Sequence, residues 1–263
     1  MDLGPLISNP RVVIPLVLFA AFLLGECLAP FRVSERSKLH HVSTNLVLFG
    51  TNSLIASATA GWLLIYLRER WSGTGWGLLQ QLHIDGLPNI IVSVVLLDFT
   101  AYGFHWFSHR IPILWRFHRT HHTDLDVDVT TSVRFHIGEV LISATFKAVV
   151  ASAIGVSPAA FVISESSLLT ASQFQHSNIR LRFGLERWVR RIFVTPSMHW
   201  IHHSRRPSEH HSNFGVMLSV WDRLFGTFVR GVNRRDIQFG LNQYAKPEDV
   251  ELLRLYRMPL DQG

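Results

Sequence analysis

Residues 88–122 read PNIIVSVVLLDFTAYGFHWFSHRIPILWRFHRTHH, and the rest of the chain falls into place around them. The stretch opens as an uncharged apolar run broken only by Asp98, then turns without a linker into a segment with five histidines. His105 and His109 stand four apart, which on a helix stacks them about 40° from each other on one face. His118, His121 and His122 follow at offsets of three and four, within about 100° of arc. A membrane span ending in a histidine-lined helix is the pattern predicted here.

Working outward, the same H-x-x-H-H spacing returns as His199, His202 and His203. Twelve of the fifteen histidines lie between His105 and His211. One His pair at i, i+4 is an ordinary chance event, and most such pairs are satisfied core or surface side chains. Several grouped imidazoles are harder to bury without partners. Neutral imidazole is the commonest metal ligand, and this spacing lets one helix offer two or three nitrogens to one ion. Eight clustered ligands exceed what one tetrahedral ion uses, so two ions are implied. Imidazole suits iron and zinc alike, and the spacing leaves that choice open.

Composition points to the bilayer. Hydrophobic residues are 48% of the chain and charged residues 17%, with a mean hydropathy of +0.20, against roughly 25% charged in soluble domains. The apolar residues gather at 12–31, 42–67, 88–104 and 139–176, the last long enough for a hairpin turning at Ser157-Pro158. Lys147 and Glu165 interrupt that hairpin, so it either crosses twice or is re-entrant. The expectation is an all-α, multi-pass helical bundle forming one domain over 1–263, with a mainly cytoplasmic helical lobe over 177–263. Within that lobe, Pro247–Met258 shows a helical period in Val250, Leu252, Leu253 and Tyr256.

The net charge of +6 sits on arginines interleaved with apolar runs rather than in a basic tail. That favours lipid headgroups and a positive-inside imbalance over nucleic acid. Arg32, Arg36 and Lys38 between the first two runs place the histidine groups on the cytoplasmic face, of a bacterial inner membrane or of the endoplasmic reticulum. The lone Cys27 excludes an internal disulfide and any multi-cysteine metal site.

Other patterns read more plainly. Asp124, Asp126 and Asp128 alternate like a calcium loop, but Val129 and Phe135 occupy the glycine and glutamate positions, which leaves a solvated loop. Gly73-x-Gly75-x-Gly77 lacks dinucleotide spacing and reads as a loop. His210 and His211 fall in a polar loop outside the groups. Asp98, a carboxylate inside a span, and Glu139 are candidates to orient a ligand histidine through its second N–H. Asp222 reads as a fold-fixing partner of an arginine.

H105-x-x-x-H109, H118-x-x-H121-H122 and H199-x-x-H202-H203, in that order around apolar runs, resemble the histidine boxes of the fatty acid hydroxylase/sterol desaturase family. The likeness extends to Leu97-Asp98, Leu114-Trp115-Arg116-Phe117, R134-F135-H136-x-x-E139, Q175-H176-S177-N178 and W221-D222-R223-L224-F225-G226-T227, covering about 90–230. Trp200 and Ile137-Gly138 depart from it without removing a ligand. The resemblance adds His136 and His176 as ligands or their close supports. It implies a non-haem di-iron oxygenase that hydroxylates or desaturates a C–H bond of a membrane lipid such as a sterol or fatty acyl chain. O2 and an external electron donor (a reductase, ferredoxin or cytochrome) are then required, with two iron ions as cofactor and zinc as an alternative metal. The rival from another class is a di-zinc membrane hydrolase acting on a lipid ester or amide. A metal transporter fits less well, because the histidines cluster at span ends amid arginines.

Overall fold

The computed structural model describes residues 10–34, 36–71 and 76–261, and the side chains of 10–12 and 57–71 lie outside that description. Gly73 and Gly75, expected to belong to a loop, fall outside it too. The described residues form helices joined by short turns, with isolated bridges and no named strand among them.

Helix α1 spans Pro10–Leu28 and α2 spans Lys38–Trp71. Helix α3, Gly86–Arg110, carries the 88–104 run straight on through His105 and His109. It stops at Ile111, whose extended backbone (φ −96°, ψ 116°) is what a following proline demands, and Pro112 opens α4, Pro112–His122, at a position needing no N–H. One extended residue therefore folds the second histidine group back against the first. Helix α5 is Ile137–Ile154 and α6 is Pro158–His176. Between them Gly155 takes a left-handed conformation (φ 82°), and the Ser157 hydroxyl accepts the Ala160 amide ahead of Pro158, so the expected hairpin forms.

α6 packs between α1 and α3, while α2 packs along α5. Among the described residues, α3 and α5 are long and apolar enough to cross a bilayer, and Val13–Leu28 of α1 is apolar but shorter. Ser164, Glu165, Ser166 and Ser167 dilute α6. Glu165 is not left alone, since it pairs with Lys147 across the hairpin. The helices turn apolar side chains such as Leu16, Leu24, Ile91 and Val149 outward. In water that surface would be a liability; against lipid it is the ordinary exterior.

Beyond His176 the chain builds a lobe from short helices, including α7, Phe183–Val189, and α8, Pro196–His202. Trp200, wholly buried, packs with Val127, Ile201, Ile237 and Phe239. The C-terminal segment differs from its sequence reading. It is a 3-10 turn, Pro247–Val250, followed by a short helix, Leu252–Arg257, which buries Val250, Leu255 and Met258 and leaves Leu253 in the open. The change of helix type between the two pieces shifts the buried stripe.

The 124–128 loop is a second correction. Asp124 and Asp128 are each 2% exposed rather than solvated. Asp124 accepts from His41 (2.9 Å) and the Thr131 hydroxyl (2.7 Å), and Asp128 pairs with Lys38 and His41. The lysine and histidine partners stand more than eighty residues away in sequence, at the start of α2.

Candidate metal centre

Nine histidines converge in two adjoining groups. His105, His109, His118, His122 and His202 form one, and His121, His176, His199 and His203 the other; within each, one nitrogen per ring lies within 4.8 Å of the rest. The groups share a wall in which His122 and His203 stack at 4.6 Å. α3 supplies two rings, α4 three, the end of α6 one, and α8 with its C-terminal residue three.

Hydrogen bonds at the far side of five of the nine rings fix what those rings turn inward. His105 Nδ1 donates to the Phe214 carbonyl (2.8 Å), His202 Nδ1 to Ser212 O (2.7 Å), His121 Nδ1 to Arg134 O (3.2 Å) and His176 Nδ1 to Ser172 O (2.7 Å). His118 Nδ1 donates to Oε1 of Glu139 at 2.7 Å. A carbonyl only accepts, so each of these Nδ1 atoms carries the ring's hydrogen and each Nε2 presents a bare lone pair to the interior. The Nε2 atoms of His121 and His176 then face each other at 3.1 Å, lone pair to lone pair. His176 Nε2 also lies 2.9 Å from His199 Nε2 and 3.2 Å from His203 Nε2. In the other group the Nε2 atoms of His105, His118 and His202 are buried without a partner.

Converged lone pairs repel unless an electrophile stands among them. Nitrogens each about 2.0–2.1 Å from one ion lie about 3 Å apart, the spacing seen in the second group. The donor set therefore fits a cation in each group. Burial, reinforced by the neighbouring imidazoles, holds His121, His122, His199, His202 and His203 well below the ordinary imidazole pKa, so they are neutral and ligand-competent at pH 7.

The remaining predicted residues sort differently. His136 stays outside both groups: its Nδ1 accepts the Gly138 amide (2.9 Å) as the N-cap of α5, and its Nε2 meets Tyr256 O at 3.1 Å. Both nitrogens are thus occupied elsewhere. Glu139 sits behind His118, accepting from its Nδ1. Asp98 takes another role, accepting Met217 N (3.0 Å), Leu218 N (3.1 Å) and Trp221 Nε1 (2.8 Å) rather than a histidine. Asp222 fixes the loop through the Phe214 and Gly215 amides and the Thr227 hydroxyl, with no arginine ion pair among the described residues. Trp200 donates to the His176 carbonyl (3.3 Å) with the Arg234 guanidinium 3.9 Å from its ring.

His210, set aside from sequence, is buried and lies parallel to Trp115 at 5.9 Å, with His109 at 6.2 Å and His122 at 6.3 Å. Its neighbours come from α3 and α4, and no local spacing announces them. With His109, Arg110, Trp115, Arg205 and His211 it lines a cavity of about 460 Å³ that reaches the first group from outside.

Comparison with known proteins adds three relatives. The family model described as fatty acid hydroxylase matches residues 90–227, a stretch containing all nine converged histidines. An alkylglycerol monooxygenase of Xenopus tropicalis is 35% identical over 133 residues, 51% of this chain and 29% of that protein. An ornithine lipid hydroxylase of Rhizobium tropici is 30% identical over 139 residues, 53% of this chain and 41% of that protein. The human alkylglycerol monooxygenase is 29% identical over 132 residues, 50% of this chain and 28% of that protein. The chain thus spans well under two thirds of the length of these relatives. No solved structure matches.

Proposed function

The chain belongs to the fatty acid hydroxylase family, and from that membership and the converged lone pairs we propose that it is a non-haem di-iron monooxygenase hydroxylating a C–H bond of a membrane lipid. The observation that carries this reading is the His121–His176 pair, whose inward nitrogens meet at 3.1 Å while both outer N–H groups are committed to backbone carbonyls.

His105, His109, His118, His122 and His202 would hold one ion and His121, His176, His199 and His203 the other. When bound, the two irons supply the O2-activating chemistry, with electrons drawn from an external donor. The protein's share is positioning. Carbonyl-anchored rings keep their nitrogens aimed without reorganisation, and Glu139 makes His118 a stronger donor to metal. Eight of the nine rings are buried and His105 is half-buried, which limits the water around them. Desaturation at the same site would diverge only after the first hydrogen is removed.

α1, α2 from residue 42, α3 up to residue 104, α5 and α6 form the membrane part, and the centre lies at its cytoplasmic face. The substrate is a lipid with an alkyl or acyl chain, in keeping with the names of the relatives. A largely apolar cavity of about 540 Å³ between α1, α6 and the lobe, lined by Ile14, Phe22, Phe174, Val194 and Met217, offers that chain a way in from the bilayer. Phe174 of its lining stands two residues before His176 on α6.

Metal analysis of the purified protein, paired with lipid mass spectrometry under O2 and under argon, tests the proposal. Two irons and an O2-dependent product 16 mass units heavier are expected, that shift being about one oxygen atom gained. Two zincs with O2-independent ester or amide cleavage would overturn it in favour of the hydrolase.

A further inference from the structure

Part of the lobe is held at mid-height of α3 instead of beyond its end. Asp98 is the thirteenth of that helix's 25 residues, and it lies six residues, about 9 Å at 1.5 Å per residue, inside the histidine-bearing end of the 88–104 apolar run. Its carboxylate holds Met217, Leu218 and Trp221, and Phe225 stacks on Phe99 one residue further on (5.8 Å). Segment 190–194 joins the same body. Ser219 N donates to Ile192 O (2.8 Å), Val194 N to Met217 O (2.9 Å), and the Arg190 carbonyl accepts from Ser219 and Arg223.

This body exposes large apolar side chains: Phe183 at 77%, Trp188 at 65%, Ile192 at 58% and Leu224 at 66%. Among them stand the exposed Arg187 and Arg191, the latter guanidinium 3.9 Å from the Trp188 ring. Lobe surface beyond the membrane gains nothing from such a patch. Tryptophan, bulky aliphatics and arginine side by side are instead the composition of an element lying in the headgroup zone.

We infer that residues 183–192 and 219–225 form an interfacial anchor that lies in one leaflet beside α3, with Arg187 and Arg191 against anionic headgroups. The inference rests on the proposal that α3 crosses the bilayer. Its occupant is an anionic lipid surface, because the outward charges are positive and the attachment at Asp98 lies close to the histidine-bearing end of the span. The anchor fixes the lobe's tilt over the membrane and keeps the apolar cavity beside Val189 and Phe193 open to lipid.

An environment-sensitive fluorophore placed at Leu185→Cys in a Cys27→Ser background, in full-length protein reconstituted into phosphatidylcholine–phosphatidylglycerol vesicles, reads this directly. Brominated lipid should quench the Leu185 label and a label at Val95→Cys on α3, while iodide in the water should quench one at Gln243→Cys. Quenching at Leu185 should deepen as the anionic fraction rises, and Arg187→Glu with Arg191→Glu should abolish that dependence. A Leu185 label open to iodide while Val95 remains in lipid overturns the anchor alone; both labels in water overturn the membrane reading with it. Self-quenching between Leu185 labels at high lipid-to-protein ratio, without a bromine effect, would assign the face to a second copy and overturn the inference. Quenching at Leu185 that ignores anionic lipid would overturn the headgroup contact.

Discussion

Nδ1 of His118 lies 2.7 Å from Oε1 of Glu139, both side chains buried, across the turn that separates α4 from α5. The carboxylate accepts the ring's hydrogen and turns the bare Nε2 into the first histidine group, where it has no hydrogen-bond partner. Removing the negative charge while keeping the shape should loosen that group without unfolding it. Glu139→Gln is expected to lower metal affinity or turnover by about 10- to 100-fold. Metal content after dialysis against a graded chelator checks it, and undiminished retention would remove Glu139 from the site.

His136 and His121 are both histidines of the 118–139 region, yet the structure separates their roles. His136→Ala should keep both metals and lose about 1 kcal/mol of stability, the ordinary cost of an N-cap. His121→Ala should empty the second group, since that ring is one of its four. Elemental analysis alongside thermal unfolding distinguishes the two; metal loss in the His136 variant would return it to the ligands.

His41 governs a pH dependence outside the metal groups. Burial alone would lower its pKa, but the Asp124 and Asp128 carboxylates outweigh burial and raise it from 6.5 to about 10. A raised folded-state value means the stabilisation is fully present below pH 6.5 and fades as pH climbs through about 10. Asp124 is depressed by His41 and Arg134 against its own burial, so its share is present above the ordinary value of 3.8 and lost only in strong acid. His41→Ala leaves these carboxylates under-partnered and should cost on the order of 3 kcal/mol. The parent's unfolding midpoint should fall between about pH 7 and 10 while the variant's stays flat there, read by urea denaturation in detergent; a parent curve as flat as the variant's would count against the pair.

Gly138 tests how tightly α4 and α5 approach. A Cβ at this position would come within 2.5 Å of two Phe117 ring carbons, so Gly138→Ala should destabilise by about 1–3 kcal/mol through overpacking. Pairing it with Phe117→Leu should restore most of the loss. A stable single variant would show that the start of α5 has more room than the structure gives it.

Local spacing alone announced the three histidine boxes and the helices that carry them, because a ligand helix needs its rings at offsets of three and four whatever surrounds it. The serine-proline turn at 157–158 was legible for the same reason, being set by backbone sterics within a few residues. Other features depended on contacts between distant segments. Asp124 looked solvated until α2 brought His41 to it, Asp98 looked like a histidine's partner until residues 217–221 claimed it, and His210 looked peripheral until Trp115 stacked on it. His136 shows the reverse case, a histidine in the right neighbourhood whose two nitrogens the fold had already used. Periodicity reports which side chains share a face, whereas the partner opposite that face is chosen by packing between segments far apart in the chain, and only the folded chain holds that information.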